Sequence, residues 1–173
     1  KPINPYGQTK LDDEILAEKF SKNNLSVIGL RYFNVYGIGQ TGSYAGVITK
    51  FLENIKNQKP FIINGNGDQI RDFIHVTDIA QVNLIAMKSK ISNGFFNIGT
   101  GIPTSINELA KKMIKLSNHN QKIIYGPELE GDVEISQADM SSTKKLLDWN
   151  HEINLLEGLR DLIQKYLLLN SSK

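Results

Sequence analysis

Two hydrophobic periodicities take turns along this chain, and that alternation constrains the fold more than any other feature. Residues 26–33 (SVIGLRYF) form a continuous apolar run of strand length, with Gly29 a tolerated weak point. On either side, apolar residues recur at helical spacing. Leu11, Ile15, Leu16 and Phe20 do so within 10–22, and Ile48, Phe51, Leu52 and Ile55 within 47–57, before Pro60. The pattern then repeats. Phe61-Ile62-Ile63 is a short strand running into the turn Asn64-Gly65-Asn66-Gly67, and 70–76 is extended. Thr77 is placed to cap a helix over 78–88, which Gly94 breaks, and 95–98 is the next strand. Ser105 and Glu108 have capping-box spacing and open a helix to about residue 116. A strand at 122–125 and helices at 143–147 and 155–168 complete the chain. Such alternation predicts an α/β fold with mainly parallel strands.

Composition narrows the function. Over 173 residues, 40% hydrophobic and 22% charged residues are a soluble globular balance. Twenty basic residues against eighteen acidic ones leave +2, too even for nucleic-acid or membrane-surface binding by bulk charge. There is no cysteine, which excludes disulfides and thiol chemistry. No apolar run approaches membrane-spanning length and no signal peptide is expected, so the expected location is cytoplasmic. His75, His119 and His151 match no ligand spacing, and no metal site is expected.

The chemistry-bearing candidates begin at the N-terminus. Tyr6 and Lys10 are four residues apart and share a face if the segment is helical. A phenol is a poor base at neutral pH unless its anion is stabilised, and a lysine ammonium nearby does that. Lowering a tyrosine pKa by about three units takes roughly 4 kcal/mol. Such a pair can shuttle a proton to or from a sugar hydroxyl. Arg71 is one of only three arginines against seventeen lysines, and its fork suits phosphate; the bland alternative is an ion pair with Asp68 or Asp72. Asp12-Asp13-Glu14 reads as a favourable first-turn acid cluster. Gly37-Ile38-Gly39-Gln40-Thr41-Gly42 spells a dinucleotide fingerprint, but the next helix starts too late, and a loop over the substrate site is the expectation.

Four segments in order carry a resemblance: Pro5-Tyr6-Gly7-Gln8-Thr9-Lys10, Arg31-Tyr32-Phe33-Asn34-Val35-Tyr36-Gly37, the stretch 65–78 (GNGDQIRDFIHVTD), and Phe96-Asn97-Ile98-Gly99-Thr100-Gly101. Together they resemble the extended short-chain dehydrogenase/reductase family, specifically its NAD-dependent nucleotide-sugar epimerases and dehydratases. The resemblance implies the C-terminal part of a Rossmann-type doubly wound sheet interleaved with a small α/β substrate-binding domain over residues 1–173. It implies NAD as cofactor, and 4-epimerisation of a nucleotide sugar of the UDP-glucose/UDP-galactose type through a 4-keto intermediate. Tyr6 would be the acid/base, and Lys10 its partner and the holder of the nicotinamide ribose. The backbone around Phe33 would lie against the nicotinamide. Asn34, Val47 and Arg71 would face the nucleotide-sugar substrate. A homodimer through the helix after Tyr6 is also implied. Leu129 stands where the family usually has arginine, and Asn64 where it often has an aromatic residue, which weakens the predicted grip on the nucleotide. The family's glycine-rich half precedes its tyrosine, so the 173 residues are expected to be the C-terminal half of such an enzyme, binding NAD weakly alone. A 4,6-dehydratase, a decarboxylase, or a non-catalytic sugar-nucleotide module are the alternatives.

Overall fold

Asn4 and Pro5 start the first helix five residues earlier than the apolar spacing predicts. The Asn4 side chain accepts from the Gly7 amide at 2.8 Å, and Pro5 occupies the first turn, where its missing N–H costs nothing. The computed structural model describes residues 2, 4–23, 25–40, 46–118, 120 and 122–171. Its elements are α1 (Pro5–Ser21), β1 (Val27–Tyr32), β2 (Asn34–Tyr36), α2 (Val47–Lys56), β3 (Phe61–Asn64), β4 (Ile70–Arg71), β5 (Phe73–His75), α3 (Val76–Lys88), β6 (Asn93–Ile98), β7 (Thr104–Ser105), α4 (Ile106–Ser117), β8 (Ile123–Gly126), β9 (Ile135–Ser136), α5 (Ser141–Leu147) and α6 (Leu155–Ser171).

Several local expectations hold and several shift. The Ser105–Glu108 capping box forms in both directions, at 3.1 and 3.2 Å. Thr77 does not cap α3; His75 does, its Nδ1 accepting from the Thr77 amide at 3.2 Å. Gly94 does not end that helix but lies inside β6, and Ser89 closes α3 by donating its hydroxyl to the Ala86 carbonyl.

The predicted parallel α/β character is what the strands show. β1 pairs parallel with β6, β2 with β5 and β3 with β8, while β4 lies between parallel β9 and antiparallel β7. The single apolar run at 26–33 changes partner at its end. The Phe33 amide donates to the Ile98 carbonyl at 3.0 Å and the Asn34 amide to the Asp72 carbonyl at 2.9 Å. Successive amides of an extended chain point to opposite sides, so β1–β2 is flanked by β6 on one side and β5 on the other. In parallel sheets, crevices open where a strand's carboxyl end parts from its neighbours.

Two hydrophobic cores flank this strand. One gathers α2, β3, α4 and α6 around Phe51, Phe61, Leu109, Met113 and Leu159, with the Phe51 and Phe61 rings stacked at 4.2 Å. The other gathers Ile74, Val82, Phe96, Ile98 and Trp149 from β5, α3, β6 and the segment after α5. Polar side chains fasten the connections. Asp72, with no exposure, accepts from the Thr100 amide (2.8 Å), the Thr100 hydroxyl (2.7 Å), the Gly101 amide (2.8 Å) and the Ala138 amide (3.1 Å). Asp78, also buried, accepts from the Glu152 and Ile153 amides and holds that loop to α3.

The Asp72 arrangement leads to a stability prediction. Asp72→Ala strands four donors, three of them in buried bonds, and should lower the unfolding free energy by about 3 kcal/mol or more. Gly99→Ala should also destabilise, since a Cβ there would sit 2.6 Å from Asp72 Oδ2 and 2.7 Å from Ala138 Cβ. Urea unfolding measures both, and a loss near zero for Asp72→Ala contradicts the assignment.

Candidate active site

A cleft of about 1040 Å³ opens at the end of β1, bounded by α1, β1–β2 and the start of α2. Tyr6, Lys10, Asp13, Glu14 and Ala17 line it from α1, a stripe at helical spacing. Phe33, Asn34, Gln40, Val47 and Ser136 line the remaining walls. The fold thus brings together five of the six sequence-derived candidates: Tyr6, Lys10, Phe33, Asn34 and Val47. Arg71 stands one strand away, as the ladder neighbour of Ser136.

On α1, Lys10 Nζ is 5.9 Å from the Tyr6 ring centroid and 2.8 Å from Asp13 Oδ2. The hydrogen bond to Asp13, and then its charge, raise the Lys10 pKa above the ordinary value, so the ammonium stays charged throughout the neutral range. The Tyr6 side chain is open to the cleft, with 72% of its surface exposed. Because the helix begins at Pro5, Asp12-Asp13-Glu14 is not a first-turn cluster. Asp13 pairs with Lys10, and Glu14 takes two bonds of 2.6 Å from Arg31 Nε and Nη2 on β1. The Arg31 hydrogen bonds hold the Glu14 carboxyl below the usual glutamate range.

The opposite wall comes from the strand. Phe33 packs against the second core, and its backbone and that of Asn34 are pinned by the bonds to Ile98 and Asp72. The Asn34 side chain makes no hydrogen bond to another described residue. Val47 opens α2 at the cleft wall, and among the described residues no side chain caps that N-terminus. Gln40 accepts from the Thr49 hydroxyl at 2.8 Å and ties the preceding turn to α2. The fingerprint-like loop falls partly outside the described residues, which exclude 41–45, as does His119 among the histidines.

Arg71 has partners of its own in this structure. Its guanidinium donates to the Ile70 and Val133 carbonyls and to Asp132 at 2.5 Å, not to Asp68 or Asp72. Beside it, Asn64, Glu128 and Leu129 line a smaller cleft of about 320 Å³. Glu14, Arg31 and Gln40 were missing from the sequence-derived site. Asn4-Pro5 was the signal that would have placed Glu14 on the cleft stripe. Nothing local marks Gln40.

The profile of the NAD dependent epimerase/dehydratase family matches residues 1–99. A UDP-glucuronate 4-epimerase of Thermodesulfobacterium geofontis is 35% identical, over 92% of this chain and 49% of that protein. Among solved structures, a UDP-glucose 4-epimerase of Thermotoga maritima with UDP-glucose superposes at a TM-score of 0.93 and 33% identity, over 100% of this chain and 56% of that one. A UDP-glucuronic acid 4-epimerase of Bacillus cereus, in complex with UDP-glucuronic acid and NAD, superposes at 0.89 and 28% identity, over 98% and 54%. The chain spans about half the length of the curated relatives it matches.

The Glu14–Arg31 pair can be read directly in solution. A carboxyl NMR titration should place the Glu14 midpoint below the ordinary 4.5, and Arg31→Ala should return it there. The folded-state value is depressed, so the pair's hold is complete above pH 4.5 and is lost as pH falls through the Glu14 midpoint. An ordinary midpoint in the native chain would show that the pair does not form.

Proposed function

Since the chain belongs to the NAD dependent epimerase/dehydratase family, we propose that its cleft is part of the active site of a nucleotide-sugar 4-epimerase, acting on sugars of the UDP-glucose/UDP-galactose type. The observation that carries this reading is the convergence of Tyr6, Lys10, Phe33, Asn34 and Val47, from three separate elements, on one cleft.

The residues present fit the nicotinamide end of NAD: a charged ammonium and a phenol share one helical stripe, facing the pinned Phe33–Asn34 backbone. When bound, NAD supplies the hydride acceptor and donor for sugar C4. Tyr6 takes the proton of the 4-hydroxyl and returns it once the 4-keto sugar has presented its other face. Lys10 stabilises the phenolate electrostatically and holds the nicotinamide ribose. The backbone around Phe33 backs the nicotinamide. Asn34 donates to the substrate diphosphate, and the uncapped start of α2 at Val47 offers amides to the same anion. Arg71 enters by exchanging Asp132 for phosphate oxygens. The cofactor's own pyrophosphate needs a glycine turn opening directly into a helix. The Gly37–Gly39 turn is separated from α2 by residues 40–46, so the reading assigns that cradle to the remainder of the enzyme.

Oxidation at C4 is shared with 4,6-dehydratases and with decarboxylases, so product identity decides between them. The full-length enzyme should interconvert UDP-glucose and UDP-galactose, or the corresponding uronates. Tyr6→Phe should lower kcat by about 10²-fold or more. A 4-keto-6-deoxy product would sink the epimerase reading. Sugar-nucleotide binding with no turnover would support a binding module instead.

The reading includes a homodimer through α1 and a cytoplasmic setting, where NAD and nucleotide sugars are made. α1 buries no residue, and Ile15, Leu16 and Phe20 are about half exposed. No helix among the described residues is long and apolar enough to cross a membrane. Sedimentation of the full-length protein should give a dimer that Ile15→Glu/Phe20→Glu dissociates; a wild-type monomer at high concentration contradicts it.

A further inference from the structure

We infer that the Glu14–Arg31 pair is a positioning device, setting the Tyr6–Lys10 face of α1 at its working distance from the Phe33–Asn34 strand end. The inference deepens the catalytic reading and rests on it.

Packing fixes that distance only loosely, because α1 rests against β1 with half-buried residues such as Ala17 and has no buried one. Among the described residues, the two bonds from Arg31 to Glu14 are the hydrogen bonds that join α1 to the strands. Their placement matters as much as their number. Glu14 lies two helical turns beyond Tyr6 and one beyond Lys10, on the same cleft-facing stripe. Arg31 is two residues before Phe33 on the strand that forms the opposite wall. The pair therefore spans the two halves of the cleft beside the reacting position. It is bidentate, so it fixes an orientation as well as a separation.

The guanidinium is itself aimed. Arg31 lies over the Phe95 ring, 5.5 Å from guanidinium carbon to ring centroid. Phe95 is the ladder partner of Gly29. A Cβ at Gly29 would overlap the Phe95 ring, so only glycine lets the ring lie where Arg31 rests on it. Gly29, Phe95, Arg31 and Glu14 form one relay from the sheet to the helix that carries Tyr6.

Steady-state kinetics on the full-length enzyme with UDP-galactose test this. Glu14→Gln and Arg31→Lys should each lower kcat about tenfold, with KM within about twofold and the melting temperature near wild type, since lost alignment costs the chemical step more than binding. Arg31→Lys is the sharper arm, because it keeps the charge and removes only the fork. The exchange Glu14→Arg/Arg31→Glu should recover most of the lost kcat. Unchanged kcat in both single variants overturns the proposal. So does a loss of kcat matched by a rise in KM and a fall in melting temperature, with no recovery in the exchange. If Glu14→Gln fails to fold, Arg31→Lys and Gly29→Ala carry the same test. Tyr6→Phe, measured alongside, separates the two readings. If it abolishes turnover while the pair's variants do not change kcat, only the positioning role falls. If it keeps full activity, the catalytic reading falls and this inference with it.

Discussion

The Asp72 carboxyl holds together segments that the chain itself keeps far apart. Its oxygens collect donors from residues 100, 101 and 138, while its backbone carbonyl receives the Asn34 amide. Asp72 thus fixes the residues after β6 and the approach to α5 through its carboxyl, and the start of β2 through its backbone carbonyl. A fully buried carboxyl is tolerated because four donors replace its water. Gly99 is the steric counterpart, since any side chain there would meet the Asp72 oxygen. Phe33 and Asn34, one wall of the cleft, inherit their position from this knot.

The opposite wall is held in a different way. α2 anchors itself with Ile48, Phe51, Leu52 and Ile55 in the first core, whereas α1 buries nothing. A half-exposed ion pair contributes on the order of 1 kcal/mol or less. The Arg31–Glu14 pair therefore orients α1 more than it stabilises the fold. The cleft joins a rigid strand wall to a lightly held helix carrying the groups expected to move protons. The exposed apolar residues of α1 mark where that helix has capacity for further contacts.

Much of this was legible in one dimension. The period of apolar residues located α2, and the Ser105–Glu108 spacing placed the start of α4, which the structure confirms bond for bond. These features are legible because they depend on neighbours within four residues. Misplaced starts have the same kind of cause. Weighting apolar spacing over the Asn4-Pro5 cap put the first helix five residues late and turned Asp12-Asp13-Glu14 into a first-turn cluster. His75 capped α3 through a ring nitrogen, an acceptor less obvious than the Thr77 hydroxyl beside it.

Long-range pairings were not legible. The run at 26–33 is one strand by composition. It divides because its last residues leave β6 and pair with β5, and the two neighbours sit at opposite edges of the same backbone. Arg71 was expected to choose between phosphate and a nearby aspartate, yet it folds onto Asp132, sixty-one residues on. By itself, the sequence determined the α/β class, the helix faces and the residue types capable of proton transfer and phosphate recognition, since these follow from periodicity and side-chain chemistry. Only the tertiary structure decided which candidates share a cleft and which partners each of them takes. Those outcomes depend on strand register and buried donor–acceptor matching between segments up to 75 residues apart, for which no local spacing encodes the partner.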